Sequence, residues 1–302
     1  MDVRRLEVLC ELRLRGSVTA VAAAVHVTPS AVSQQLKTLE REVGVPLTER
    51  SGRGLVLTPA GEALAGAADG VSVALARADQ VWRRFVESPQ GVVELALFPT
   101  AGRMFLPGLL AALREVPGLS LEARDVDVTD GDFTDLVADH DVVLGYSVGP
   151  ATGWDDRAVA VQHLLDEPLD VALPEGHPLA AHRRVTAVQV ATSPWIAPPR
   201  DAPFERVLQE IERVADHPLT VVQRFNDTRI TESLVAAGEG LALLPRHTSG
   251  GEGTGVVLRP LERIAPTRRI SALLRVEHAE RPSVRTVLQA LGRIAAEIER
   301  AG

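Results

Sequence analysis

The sequence predicts an α+β fold in three parts: a small head of short helices closed by a two-stranded hairpin, one long helix, and a two-lobed α/β body. Three observations carry this reading. Helix-capping residues recur at short intervals over the first 60 residues. A regular 4-3-4-3 spacing of apolar residues follows, from Leu64 to Phe85. From Val92 onward, strand-like and helix-like segments alternate in two similar rounds.

In the head, Arg4 to Leu14 reads as a helix ended by Gly16, and Ser17 as the N-cap of a second helix, Val18 to Val25. His26-Val27 is a tight link. Thr28 caps a third helix whose first position is Pro29, where a missing N–H costs nothing, and which runs to Val43 before Gly44. Residues 47–57 read as two short strands around Ser51-Gly52 and Arg53-Gly54. Thr58-Pro59 repeats the cap-plus-proline start and opens the long helix, which reaches Glu87 before Ser88-Pro89-Gln90-Gly91. In the body, the first round reads as strand Val92–Leu97, helix Met104–Glu115, strand Leu119–Val126, helix Phe133–Asp139 and strand Asp141–Tyr146. The second reads as strands Pro168–Leu173 and Trp195–Ala197, helix Phe204–Ala215, strand Leu219–Phe225, helix Ile230–Ala237 and strand Leu241–Leu244. Such alternation implies parallel sheets covered by helices. A last strand, Arg269–Arg275, and helix, Pro282–Arg300, are placed back on the first lobe. The glycine-rich stretch 250–255 lacks the Lys-Ser/Thr of a phosphate loop and reads as a mobile connection. The domain boundaries expected are 1–58 for the head, 59–89 for the linking helix and 90–302 for the body, with lobe 1 at 90–162 and 266–302 and lobe 2 at 163–265.

Composition narrows the class. At 45% hydrophobic residues over 302, the chain can bury a large core. No apolar run is long enough to span a bilayer, and the N-terminus alternates charged and apolar residues, unlike a signal peptide; a cytoplasmic protein is expected. The single cysteine, Cys10, cannot form an internal disulfide and reads as a small buried hydrophobe. The net charge of −8 argues against a nucleic-acid partner until it is divided. Residues 1–62 hold eight basic against seven acidic side chains, and the remainder 24 against 33. DNA binding needs a local basic patch, not a basic protein.

The third helix carries the clearest chemistry. At 100° per residue, Val32, Leu36, Leu39 and Val43 fall within about 60° of one another and must pack inward. Ser30, Ser33, Gln34, Lys37 and Arg41 lie on the other side. Serine and glutamine can bond base edges, while Lys37 and Arg41 can neutralise phosphate. Alone, such a face equally describes an ordinary solvated helix. Two preceding helices, a short link and a following hairpin bearing Arg50 and Arg53 favour a winged helix-turn-helix that sets this helix in the major groove. Along the long helix, Leu64, Ala68, Val71, Leu75, Ala78, Trp82 and Phe85 form an a/d seam suited to pairing with another helix; packing on its own domain is the alternative.

Residues 17–61, from SVTAVAAAVHV through SAVSQQLKTLE, GVPLTER and SGRG to LTPAG, resemble the DNA-binding signature of LysR-type transcriptional regulators. DEPLDVALPEGHPLA at 166–180 and LVAAGEGLALLP at 234–245 resemble the family's second lobe, so the resemblance covers nearly the whole chain. It implies a two-lobed, periplasmic-binding-protein-like effector domain behind the winged helix-turn-helix. Two positions depart: Thr48 stands where the family usually has phenylalanine, and Pro29 where it often has glutamine. The resemblance implies DNA contacts at Thr28, Pro29, Ser30, Ser33, Gln34, Lys37, Arg50 and Arg53, a homodimer or tetramer paired through the long helix, and a palindromic promoter site in double-stranded DNA.

Two lobes joined by crossing strands leave a cleft. After the first strand, Thr100, Ala101, Gly102 and Arg103 enter a helix whose free amides, hydroxyl and cation favour an anionic ligand, although Thr100 also fits a plain N-cap. By resemblance, Asp127, Val128, Thr129, Tyr146, Pro198, Arg200, Asn226 and Thr228 join the effector site. An amino acid, a small carboxylate or an aromatic acid would all fit. An enzyme with an accessory DNA-binding head and a stand-alone solute-binding protein are the rival classes. Against the first, no nucleophile elbow, Cys-x-x-Cys or His-Glu-x-x-His occurs, and His163, His177 and His182 lack ligand spacing. Neither metal, cofactor nor catalysis is expected. Against the second stand the missing export signal and the DNA-binding head.

Overall fold

The computed structural model describes residues 1–51, 54–86, 89–126, 133–149, 154 and 159–301. The head comprises α1 (Val3–Arg15), α2 (Val18–Ala24), α3 (Pro29–Val43), β1 (Thr48–Ser51) and β2 (Gly54–Leu57), and α4 (Pro59–Val86) leaves it. The capping residues act where the sequence places them. Ser17 Oγ accepts from Ala20 N at 3.4 Å, Thr28 Oγ1 from Ala31 N at 3.2 Å and Thr58 Oγ1 from Gly61 N at 3.1 Å. Gly44 ends α3 at φ +76°, a conformation other residues adopt only under strain. Val32, Leu36 and Leu39 are fully buried against Leu9, Leu12 and Val21, the inward stripe that the 3.6-residue period requires.

The departure at Thr48 has a local explanation. Glu40 Oε1, on α3, accepts from Leu47 N at 2.9 Å, Thr48 N at 3.0 Å and Thr48 Oγ1 at 2.9 Å. A hydroxyl here pins the hairpin to α3 by hydrogen bonding where an aromatic ring would do so by packing.

The body begins with β3 (Gly91–Leu97), α5 (Pro99–Leu113), β4 (Leu119–Asp125), α6 (Phe133–Leu136) and β5 (Val142–Val148). It continues through β6 (Val159–Pro174), α7 (Ala187–Ala191), β7 (Pro194–Ala197), α8 (Glu205–Ala215), β8 (Thr220–Arg224), α9 (Thr228–Ala236), β9 (Ala242–Pro245) and β10 (Val256–Arg259). It closes with β11 (Thr267–Arg275) and α10 (Pro282–Ala301). Separate apolar cores fill the two lobes, one around Phe105, Leu144 and Leu291, the other around Trp195, Leu173 and Ile211. The last strand and helix do return to lobe 1: β11 pairs with β5, and Ile294 of α10 packs against Gly108 of α5.

The body departs from the sequence reading in several ways. Its main sheet, in the order β10-β6-β11-β5-β3-β4 with β9 also on β6, is mixed. Within it only β4, β3 and β5 run parallel; β11 is antiparallel to β5 and β6, and β9 and β10 are antiparallel to β6, while β7 and β8 form a separate parallel pair in lobe 2, as expected there. The strand expected at Pro168–Leu173 is the far end of the 16-residue β6, which passes between the lobes. Helix α5 starts at Pro99 and not at Met104, because Phe98 is held extended (ψ 153°) ahead of a proline that is itself a good first helical residue. The helix at 133 is a single turn, and α7 and β10 had no sequence counterpart.

The apolar seam of α4 divides in two. Ala68 is buried and Leu64 half-buried in the head's own core, so there packing on its own domain prevails. Val71, Leu75, Ala78 and Trp82 are exposed, with Leu75 at 46% and Trp82 at 64%. The Phe85 side chain lies outside the described residues. The head also touches lobe 1: Arg15 donates to Glu11 at 2.7 Å, Asp139 at 2.8 Å and the Ala138 carbonyl at 2.6 Å, while Arg275 of β11 pairs with the same Glu11. Cys10 is half-buried on α1, and burial pushes its thiol up to about 11.

A Cβ at Gly61 would collide with the carbonyl oxygen of Leu47, whereas Gly66 on the same helix faces open space. Gly61→Ala should therefore cost the head about 1–3 kcal/mol through forced backbone movement. Hydrogen exchange of the α3 amides should accelerate in Gly61→Ala and stay the same or slow in Gly66→Ala. Equal protection in both variants would contradict the close approach.

Candidate functional site

Two surfaces gather the residues singled out from the sequence. On the head, Thr28, Pro29, Ser30, Gln34, Lys37 and Arg50 are exposed, and Ser33 is half-exposed. Thr28 Oγ1 and Ser30 Oγ share a 2.9 Å hydrogen bond, and Ser33 Oγ donates to the Pro29 carbonyl at 3.0 Å. The hydroxyl proton of Ser33 is thus committed within the helix, and only its lone pairs face outward. Arg41 folds along its own helix, with Nη2 on Thr38 Oγ1 at 2.9 Å. Arg53 lies outside the described residues. Lys37 has no such internal tie among the described residues and extends from the middle of the face.

The second surface is a cavity of about 760 Å³ between the lobes, within the range of small-molecule sites. Its wall includes Thr100, Gly102, Arg103, Tyr146, Pro198, Asn226 and Thr228 from the sequence reading. Two of the expected residues are not on it. Ala101 is fully buried, its methyl turned into the lobe 1 core by the helical rotation from Thr100. Arg200 is exposed in the turn beyond Pro198 and does not reach the wall. Asp127, Val128 and Thr129 lie outside the described residues.

Thr100 is not a cap. It is the second residue of α5, whose N-cap, Phe98, supplies no side-chain acceptor. The Gly102 amide already bonds the Phe98 carbonyl at 3.1 Å, which leaves Thr100 and Ala101 as the amides lacking a cap. The Thr100 hydroxyl accepts from Arg268 Nη2 at 2.9 Å.

Arg268 is the residue the sequence reading missed. It stands on β11 directly opposite Glu167 on β6. Arg268 Nε donates to Glu167 Oε2 at 2.7 Å and Nη2 lies 2.6 Å from the same oxygen; the two side chains are 2% and 0% exposed. Glu167 Oε1 accepts from the backbone amide of His247, in lobe 2, at 2.9 Å. The guanidinium carbon lies 5.1 Å from the centroid of Phe98 and 5.5 Å from that of Tyr146. Phe133, Phe204 and Phe225, none of them anticipated, complete an aromatic lining, with Tyr146 edge-on to Phe98 at 4.9 Å, to Phe133 at 5.4 Å and to Phe204 at 5.7 Å. The only sequence signal for Arg268 was a pair of arginines heading an otherwise apolar strand.

Removing one member of a buried pair strands the other. Arg268→Met should destabilise the body by about 3–5 kcal/mol, and adding Glu167→Gln should recover most of that loss. Thermal unfolding of the two variants beside the parent chain checks this; similar melting for Arg268→Met and the parent would show that Glu167 is solvated.

Comparisons with known proteins cover both the head and the body. Residues 3–62 match the family described as "Bacterial regulatory helix-turn-helix protein, lysR family", and residues 87–296 match the LysR substrate binding domain. The HTH-type transcriptional activator CmpR of Synechocystis is 25% identical over 261 residues, covering 86% of this chain and 84% of the relative. The HTH-type transcriptional regulator CbbR of Xanthobacter flavus is 29% identical over 271 residues, 86% and 77% of the two chains. Among solved structures, a full-length OxyR variant of Pseudomonas aeruginosa superposes with a TM-score of 0.63 at 20% identity, covering 96% of this chain and 94% of that one. Full-length CbnR complexed with its target DNA gives 0.54 at 20% identity, covering 98% and 100%. With both family domains matched in order and together spanning most of its length, the chain belongs to the LysR family of transcriptional regulators, a DNA-binding head joined to an effector-binding body.

Proposed function

We propose that the chain acts in the cytoplasm as a homodimer that reads a palindromic promoter site with two α3 helices and is switched by a small anionic ligand held between its lobes. It works by binding, without turnover; the named relatives are regulators. The observation that carries this reading is the exposed polar face of α3 from Thr28 to Lys37, backed by a buried apolar stripe and a pinned hairpin. Gln34, exposed mid-helix, offers a bidentate amide to a base edge; Lys37 and Arg50 neutralise phosphates on either side. The dimer is supported by the exposed part of the α4 seam, where Val71 is 38% and Leu75 46% exposed, apolar surface that a second helix would cover. Pairing of two such dimers into a tetramer, which the family resemblance implies, is the larger assembly we favour. No described helix is long and apolar enough to cross a membrane.

Two measurements test this. Lys37→Ala should weaken binding to every duplex sequence and reduce the slope of log K against log salt by about one ion, whereas Gln34→Ala should lose about 1–3 kcal/mol of discrimination at particular base pairs while keeping non-specific affinity. Selection from a randomised duplex library returning the same preferred site for Gln34→Ala and the parent would mean that α3 is turned otherwise in the groove. Leu75→Glu would set two like charges in the apolar seam, and light scattering should report a monomer or a greatly weakened dimer with operator affinity lost alongside. An intact dimer would place the interface elsewhere.

A further inference from the structure

We propose that the cleft is built for a monoanionic aromatic acid, and that Arg268 is the positioning residue that sets this selectivity by orienting the Thr100 hydroxyl. The inference rests on the effector-cleft reading above and narrows it to a ligand class.

The polarity of Thr100 comes first. A hydroxyl has one proton to give, and here it accepts from a buried guanidinium. That bond polarises the O–H so that its proton is given more readily, and it disfavours a second donor beside the same cation. Glu167 lies behind Arg268, across the β6–β11 ladder. The pair therefore acts as a buried dipole whose positive end faces Thr100. A carboxylate oxygen at Thr100 meets a donor; an amine or amide N–H meets a repelling one.

Charge then limits the ligand to one negative unit. Among the described residues, Arg103, Arg124, Arg229 and Arg268 line the wall together with Asp125 and Asp227. Glu167 cancels Arg268, so one positive charge is left over. A dianionic phosphate would bring more charge than this wall can neutralise.

The aromatic lining identifies the ligand's body. The whole chain has six phenylalanines and one tyrosine. Five of these seven, Phe98, Phe133, Tyr146, Phe204 and Phe225, line this one cavity, although only 3% of the chain is aromatic. Tyr146, Phe204 and Phe225 are half-buried at the wall, with Phe98 and Phe133 buried behind them in edge-on contact, so the cavity offers a flat apolar guest a wall rich in aromatic carbon. Lobe 1 contributes three of them and lobe 2 the others, so a planar body seated there touches both lobes at once.

The test uses the full-length protein with defined probes: benzoate and trans-cinnamate, their primary amides, benzylamine, phenyl phosphate and inorganic phosphate. Titration calorimetry and thermal shift should show at least one of the two acids binding about tenfold or more tightly than its amide, the range expected for a hydrogen bond to a charged group. In the Glu167→Gln/Arg268→Met double variant, which removes one charge of each sign and so leaves the net charge of the wall unchanged, that acid-to-amide ratio should fall severalfold while the melting temperature stays close to the parent's. A purely structural role for Arg268 would lower the melting temperature, or weaken acid and amide alike, and leave the ratio unchanged; either result would overturn the positioning role. Tighter binding of an amide, of benzylamine or of phenyl phosphate, or no binding by either acid at millimolar concentration, would overturn the ligand class. Duplex DNA binding at low salt, measured on the same preparation, reports separately on the regulator reading: its loss would sink that reading without touching the calorimetric ratio.

Discussion

Everything in the body turns on one ion pair. Strands β6 and β11 are antiparallel neighbours, and β6 continues from one lobe into the other. Where the ladder reaches the cleft, it places Glu167 opposite Arg268, and burial forces each to satisfy the other. The carboxylate has one oxygen left and gives it to the His247 amide of lobe 2; the guanidinium has donors left and gives one to Thr100 of lobe 1. Two buried charges thereby tie three separate pieces of chain to one point on the crossing strands. Replacing the pair by apolar side chains of equal volume would keep the core but cut both outward ties, which is why the pair is better understood as a locator than as a source of stability.

The head depends on polar pins of a different sort. Its apolar core is small, built on three short helices and the first turns of α4. Positions that must hold the reading face are fixed by hydrogen bonds at element ends: Thr28 at the start of α3, Glu40 to the hairpin, and Thr58 at the start of α4. Gly61 lets α4 lie directly against the Leu47 carbonyl. The result is a platform whose outward helix face, among the described residues, has no side-chain tie at Gln34 or Lys37, as a groove-reading surface requires.

How much of this the sequence disclosed depends on range. Caps and breakers act within four residues, so Ser17, Thr28, Pro29, Gly44 and Thr58 declared the head's helices almost to the residue. The body's sheet was harder because its pairing is long-range. β6 breaks its own period: a bulge opposite Ile270 and Ser271 lets Leu164 and Leu165, adjacent in sequence, both be buried. Buried Glu167 followed by Pro168 also looks like a loop until β11 is in place to satisfy the carboxylate. Arg268 was invisible for the same reason, since its partners lie 101 and 168 residues away. Phe98 and Pro99 did carry the signal for an early start of α5; Thr100 drew attention as an effector contact, with a plain cap as the alternative because a threonine near a helix start usually is one.

Strand β11 also shows how head and cleft share a framework. Arg268 near its first residue faces the cleft, and Arg275 at its last pairs with Glu11 of α1 while donating to the Ala138 carbonyl at 3.3 Å. An interval of seven residues puts the two arginines on opposite faces of the strand. Ala138 and Asp139 close the turn after α6, and Phe133, the first residue of α6, lines the cleft. The same short stretch of lobe 1 thus presents an aromatic ring to the cavity and a carbonyl and a carboxylate to Arg15 of the head. Among the described residues, a few positions of lobe 1 thus lie between the cavity wall and the groups that hold α1.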